Sequence, residues 1–164
     1  METNNPNLSI YADKLRVRVC GICIHENKLL LVRHQSTVAN KAFWAPPGGG
    51  LSYAETVEQC LVREFEEETG LQVVVKRFLF VNEFLQEPLH ALELFFEVEM
   101  VGGQLTKGTD PESAIDQQLI QEVTFLSREE INKLPVHDKH RILQYLFSLD
   151  DLLGLPHYFL PIKN

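Results

Sequence analysis

The amino-acid sequence predicts an α/β (α+β) fold, a mixed β-sheet sandwiched between α-helices. Three observations carry that expectation. Residues 15–25, 29–33, 71–85 and 89–101 alternate or run continuously apolar, as strands entering a core do. Residues 56–69 carry helical periodicity between clear start and stop signals. Glycine and proline punctuate the chain at 46–50, 70, 88 and 102–103. The order β-β-loop-α-β-β-β-α then gives a mixed sheet with helices on its faces.

Residues 1–14 read as a loose leader, 15–150 as one domain and 151–164 as an apolar tail. The first two runs flank Glu26-Asn27-Lys28 and read as a β-hairpin. Residues 34–43 are polar and irregular, and Trp44-Ala45-Pro46-Pro47-Gly48-Gly49-Gly50 can be neither helix nor central strand. Thr56 caps the helix that follows, with Gln59 as the returning partner of a capping box; Ser52 with Glu55 is a second register for that start. Gly70 stops the helix. Two long strands surround Gln86-Glu87-Pro88, and Gly102-Gly103 breaks the second. Residues 104–121 read as a polar loop, 122–127 as a short strand and Ser127–Glu130 as a capping box opening a short helix that ends at Pro135. Residues 138–150 read as a second amphipathic helix. The tail packs either on its own domain or on a second subunit, and a contiguous exposed patch there would mark a homodimer.

The 164 residues are 45% apolar and 23% charged, an ordinary globular mix with room for a core. A net charge of −8 argues against a general nucleic-acid binder and against attachment to anionic membranes. No apolar run reaches the ~18 residues a membrane span needs, and Met1–Ala12 lacks a basic start and an apolar signal core. Three cysteines without an export signal point to free thiols in a reducing cytoplasm.

The charge is concentrated. Between Gly49 and Leu71 stand six acids (Glu55, Glu58, Glu64, Glu66, Glu67, Glu68) and one base, Arg63. Most glutamate runs are solvated faces. At about 100° per residue, however, Glu64 and Glu68 fall inside the arc of Val57, Cys60, Leu61 and Phe65, Glu67 falls at its edge, and only Glu66 points away. Carboxylates on a packing face repel one another and lose hydration. A hard cation among them, Mg²⁺ or Mn²⁺, explains the pattern. The preceding Gly48-Gly49-Gly50 lets backbone approach a ligand closely, and a helix N-terminus favours anions.

Gly49, Glu55, Arg63, Glu64, Phe65, Glu67, Glu68, Gly70 and Leu71 fill every fixed position of the pattern G-x5-E-x7-R-E-U-x-E-E-x-G-U, with U apolar. The chain therefore resembles the Nudix hydrolase family, and the strand order and the 44–50 lead-in extend the likeness over most of residues 15–150. One departure is Ala54, where glycine is more usual before the glutamate; it bears on loop shape. The resemblance implies a Nudix-like sheet between helices and hydrolysis of a nucleoside diphosphate linked to another group, water attacking one phosphorus with the help of Mg²⁺ (or Mn²⁺). It implies Glu64, Glu67 and Glu68 as metal ligands, with the Gly48 carbonyl as an additional one. Arg63 would orient Glu55 or Glu67 through a bidentate pair, and the 48–50 backbone would face substrate. The proton of the attacking water would go to Glu64 or to an acid of the 104–121 loop, which holds Asp110, Glu112 and Asp116; Glu112 is the preferred choice.

Arg33, at the end of an apolar strand, is a candidate phosphate contact, with a surface ion pair an equal alternative. Cys20-Gly21-Ile22-Cys23 is read as core, because strand positions three apart face opposite sides. Trp44 is read as core, Phe43 and Tyr53 as stacking candidates, and His137 and His140 as surface residues. In the family that the chain resembles, a proline at about the distance of Pro88, 17 residues beyond the motif, is associated with ADP-ribose-type substrates, a weak signal because a strand-to-strand turn needs the same proline. The expected substrate is ADP-ribose or a nucleotide sugar, with an (oxidised) nucleoside triphosphate second and no polynucleotide. The competing reading is a catalytically silent nucleotide sensor on the same fold; such a protein should have lost motif carboxylates, which here are complete.

Overall fold

The computed structural model describes residues 11–35, 41–108, 120–144 and 146–154, and the backbone of 159–160. Two β-sheets clasp one long helix. Strand β1 (Leu15–Ile22) lies in the larger sheet. The chain then bends at Cys23 and enters the smaller sheet as β2 (Ile24–His25). The expected hairpin therefore involves only its second half: β2 pairs antiparallel with β3 (Lys28–Gln35), while β1 leaves for other partners. Glu26 and Asn27 both have positive φ, 48° and 58°, which is the two-residue turn whose twist matches a hairpin. Cys20 lies in one core cluster and Cys23 in the other, as alternation predicts, so the pair is structural and the cysteines are free.

Residues 42–50 are more regular than their sequence announces. β4 (Ala42–Ala45) pairs with the end of β3, and β5 (Gly48–Gly50) pairs with β1. β5 is an edge strand, the place where a segment following two prolines can join a sheet. Helix α1 spans Val57–Thr69, followed by β6 (Leu71–Gln86) and β7 (Leu89–Gly103), which runs on through both glycines. β8 (Ile120–Leu126) pairs with the other edge of β3. The tail strand β9 (Phe159–Leu160) lies parallel to β6, so this part of the tail joins its own sheet. The larger sheet runs β5-β1-β7-β6-β9, with β1 and β7 parallel.

Helix α1 buries Cys60, Leu61 and Phe65 against Val19, Val73 and Val98 of the larger sheet and Leu30 of the smaller one. The opposite face of the larger sheet, with Cys20, Phe80 and Phe95, is covered by Ile131 of α2 (Arg128–Lys133) and by Leu143, Leu146, Leu149 and Leu152. Ser127 and Glu130 form the expected capping box of α2. Among the described residues no helix is long and apolar enough to cross a membrane.

The helix expected over 138–150 does not form. Short 3₁₀ turns occupy Val136–Asp138 and Arg141–Leu143, and one helical turn, α3, occupies Asp151–Gly154. Tertiary contacts override the local pattern. Lys139 is extended (φ −139°, ψ 150°) and bridges to Trp44, and the His140 N–H donates to the Trp44 carbonyl at 2.7 Å. His140 is consequently buried, not on the surface: its Nε2 lies 2.8 Å from Glu93 Oε2 and its ring meets Phe95 edge-on. His137 is exposed, as expected.

Two predictions follow from these local geometries. Ala54 sits at φ 64°, a left-handed conformation that disfavours a side chain. Ala54→Gly should therefore stabilise the fold by about 0.5–1 kcal/mol, read as a rise in Tm. Glu93 supplies the second. Burial alone would raise its pKa, but His140, Arg18 and Asn82 outweigh burial and hold it at about 2. A carboxylate depressed from 4.5 stabilises the fold above pH 4.5, and that contribution disappears as pH falls toward 2. Urea midpoints of wild type and Glu93→Gln should differ at pH 6 and converge through that acidic window.

Candidate active site

The site is built on helix α1 and the edge strand in front of it. Thr56 and Gln59 form the reciprocal capping box, with Thr56 N–H donating to Gln59 Oε1 at 2.9 Å and Gln59 N–H to Thr56 Oγ1 at 3.2 Å. Gly70 ends the helix in the left-handed conformation, φ 71°. The last carbonyls are taken up by the segment after β7: Thr106 N–H donates to Thr69 O and Gly108 N–H to Glu68 O. Both ends of the helix are thus fixed by hydrogen bonds, which sets the glutamate face rigidly between them.

That face is oriented as the helical arc predicts. Glu64 and Glu68 are only 3% and 2% exposed, Glu67 is half-buried and Glu66 is exposed. Arg63 gathers the carboxylates. Its Nε and Nη2 donate to the two oxygens of Glu55 at 2.8 and 3.1 Å, a bidentate pair. Its Nη1 donates to Glu64 Oε1 at 2.8 Å and Glu67 Oε2 at 3.0 Å. The Arg63 bonds draw the Glu55 carboxyl down to about 2, and the same contacts raise the guanidinium further above its ordinary range. Arg63 therefore reaches three motif glutamates at once rather than one.

The glycine strand meets this face through its backbone. Gly48 N–H donates to Glu68 Oε2 at 3.0 Å. A Cβ on Gly49 would run into the Glu64 carboxylate, and one on Gly48 (φ 153°) would strike the Val19 carbonyl. These two positions need glycine for close approach. The Gly50 carbonyl accepts weakly from Cys60 Sγ and Arg63 Nη2, both at 3.5 Å. Cys60 and Cys23 thiols are pushed up to about 12 and about 11 by burial, and Cys20 higher still, which makes all three poor nucleophiles.

Three residues that the sequence did not single out belong to the site or its support. His34, on β3, has Nε2 3.8 Å from Glu68 Oε1, and burial with the nearby Arg18 charge lowers its pKa to about 4. At neutral pH it adds no positive charge beside Glu68. Arg18 donates from Nη2 to the Gly48 carbonyl at 3.2 Å, and Glu93 faces it from β7. Alternation along β1 places Arg18 on the face of Cys20, but nothing local reveals that its long side chain reaches β5. Arg33 is half-buried between Trp44 and Glu122 in the strand register, and neighbouring strand positions put it on the face opposite to that of His34. Trp44 is in the core, Phe43 lies beside the His140 ring and Tyr53 is fully exposed. Asp110, Glu112 and Asp116 lie outside the described residues; Gly108, which anchors the loop start on Glu68, stands four residues before Glu112.

The donor set suits a hard divalent cation in kind: carboxylate and carbonyl oxygens, with one arginine supplied by the whole 49–71 segment against six acids. The carboxylates do not form a ready cage, since among the described residues no three His, Cys, Asp or Glu side chains cluster at metal distance. Glu64 and Glu67 turn instead to Arg63, and Glu68 to Gly48 N–H.

Comparison with known proteins agrees with this architecture. A NUDIX domain model matches residues 14–155. An ADP-ribose pyrophosphatase of Methanocaldococcus jannaschii is 38% identical over 100 residues, covering 60% of this chain and 59% of that protein. An 8-oxo-dGTP diphosphatase of Proteus vulgaris is 37% identical over 60 residues, covering 37% of this chain and 54% of that one. The alignments thus span little more than half the length of these relatives. Among solved structures, a UDP-X diphosphatase superposes with a TM-score of 0.62 at 22% identity, covering 89% of this chain and 67% of that one, a likeness of fold. With a family model spanning most of its length and the motif running from β5 through helix α1 to the first residue of β6, the chain belongs to the NUDIX domain family.

Proposed function

We propose that the protein is a Nudix pyrophosphohydrolase that uses Mg²⁺ (or Mn²⁺) to hydrolyse a nucleoside diphosphate linked to another group. The observation that carries this reading is the burial of Glu64 and Glu68 one turn apart, Glu64 held by Arg63 and Glu68 by the Gly48 N–H of the glycine strand. Burying carboxylates costs stability unless they are compensated, and a helix built for stability alone would place apolar side chains there.

Glu64, Glu67, Glu68 and the Gly48 carbonyl would hold the cation. When bound, the cation neutralises charge on the phosphate oxygens and makes water a better nucleophile. The chain's own residues do the rest. Arg63 holds Glu64 and Glu67 in fixed rotamers and keeps Glu55 ionised. The backbone of Gly48, Gly49 and Gly50 would face the phosphates, and the bare Cα of Gly49 leaves room for the Glu64 carboxylate beside it. As a new bond forms from the water oxygen to phosphorus and the bridging P–O bond breaks, the water proton passes to a carboxylate, Glu64 or Glu112. Arg33 is proposed as a further phosphate contact.

The substrate proposed first is ADP-ribose or a nucleotide sugar, supported by the 38% identity to a protein named for ADP-ribose hydrolysis. A nucleoside triphosphate, including oxidised forms, is second, supported by the match to an 8-oxo-dGTP diphosphatase. The three free, buried cysteines support a reducing, cytoplasmic setting.

A phosphate-release screen with Mg²⁺ tests the reading, pairing wild type with Glu67→Gln on ADP-ribose, nucleotide sugars, dinucleoside polyphosphates, NADH and nucleoside triphosphates. Turnover of one class by wild type, with kcat reduced on the order of 10²–10³-fold or more in Glu67→Gln and Glu68→Gln, is expected. Silence of wild type across the panel, with cation binding intact, would favour the nucleotide-sensor alternative. Arg63→Lys keeps the charge but loses the forked contacts, and should lower kcat while circular dichroism stays that of wild type.

A further inference from the structure

A row of polar side chains crosses the larger sheet on the face opposite to helix α1. Strand register aligns Gly50 of β5 with Arg18 of β1, Arg18 with Glu93 of β7, and Glu93 with Asn82 of β6. The next row on this face is apolar: Cys20, Phe95 and Phe80. Glu93 is 7% exposed and Asn82 2%. Asn82 Nδ2 donates to Glu93 Oε2 at 2.8 Å, and His140 Nε2 lies 2.8 Å from the same oxygen. Ile142 N–H donates to His140 Nδ1, which leaves the Nε2 proton for Glu93. The other oxygen, Glu93 Oε1, is 3.9 Å from Arg18 Nε, and Arg18 Nη2 donates to the Gly48 carbonyl at 3.2 Å.

This arrangement is costly for a core. Glu93 is a buried carboxylate, and Asn82 Oδ1 is a buried polar atom with no hydrogen-bond partner among the described residues. Apolar residues of similar size would pack the face more stably. What the polar row achieves is reach: a fixed Glu93, held on two sides, faces an arginine whose far end touches the glycine strand. Gly48 is then gripped twice. Its carbonyl accepts from Arg18, and its N–H donates to Glu68. A carbonyl oxygen has two lone pairs, so the Arg18 bond sets its direction and leaves the second for a ligand.

We propose that Glu93 is a positioning residue of the site: it holds the Arg18 guanidinium against the Gly48 carbonyl, and so holds the glycine strand in register with Glu68. The inference rests on the reading of the glutamate helix as a divalent-cation site. It makes the buried row, on the sheet face away from helix α1, a determinant of cation affinity.

The test is titration of the metal-stripped full-length protein with Mn²⁺, the free ion followed by electron paramagnetic resonance without substrate. Glu93→Gln and Arg18→Met should each weaken Mn²⁺ binding about ten-fold or more. The double variant should be no weaker than the worse single one, because both act through one chain of contacts. Leu143→Ala, in the same core but outside the row, should lower Tm and keep the wild-type affinity. Wild-type affinity in folded Glu93→Gln or Arg18→Met overturns the inference, as does equal weakening in Leu143→Ala or multiplication of the two effects. If Glu93→Gln fails to fold, Arg18→Met, whose side chain is 29% exposed in the wild type, decides the outcome. Loss of binding in Glu68→Gln with none in the row variants overturns the inference alone; a wild type that binds no Mn²⁺ overturns the cation-site reading with it.

Discussion

The burial of Glu64 and Glu68 on the packing face of helix α1 is the constraint on which the rest of the site depends. Two carboxylates one turn apart cannot sit against a sheet without compensation. The chain supplies it from three directions: Arg63 from the same helix, the Gly48 N–H from the edge strand, and a glycine at 49 that leaves room for the Glu64 carboxylate. Each solution dictates something else. Arg63 must fan out to Glu55, Glu64 and Glu67, which fixes the loop before the helix. The glycine strand must lie at the edge of the sheet, where its backbone is free to face the helix. The helix must keep its rotation, which the capping box and the left-handed Gly70 secure at its two ends.

The two sheets divide the work. The smaller one closes over helix α1 with Leu30 and brings His34 beside Glu68. The larger one carries the glycine strand on its edge and uses its far face for a second core, roofed by the 131–152 segment. The bend at Cys23 joins them, so one continuous stretch of chain contributes to both. The polar row from Arg18 to Asn82 links that second core to the site. The same row holds His140, and the His140 backbone in turn bonds Trp44, so the C-terminal segment, β4 and the glycine strand are braced together.

What was legible in the sequence was local or periodic. Thr56, Gln59 and Gly70 mark the helix ends by hydrogen-bonding chemistry that needs no tertiary context, and both ends lie where those residues put them. The 3.6-residue period placed Glu64 and Glu68 inside and Glu66 outside, because helical geometry relates sequence position to direction. Alternation separated Cys20 from Cys23. The motif itself could be read because its spacing reflects one loop and one helix, a contiguous piece of structure.

What only the tertiary structure decided depended on residues far apart in the chain. The segment 138–150 has an amphipathic pattern, yet Lys139 and His140 are drawn out to bridge Trp44, nearly a hundred residues away, and a helix cannot pass through them. His140 became a buried partner of Glu93 for the same reason. The first hairpin lost its first strand to the parallel partner β7, a choice that no turn signal encodes. Arg18, Glu93 and Asn82 stand 75 and 11 residues apart in sequence and meet only because β1, β7 and β6 lie side by side in register. By itself the sequence determined the glutamate helix with its two ends, the long strands, the charged face of that helix and the motif. The pairing of strands decided which distant side chains support that face, because register across a sheet is a property of the assembled fold and not of any segment within it.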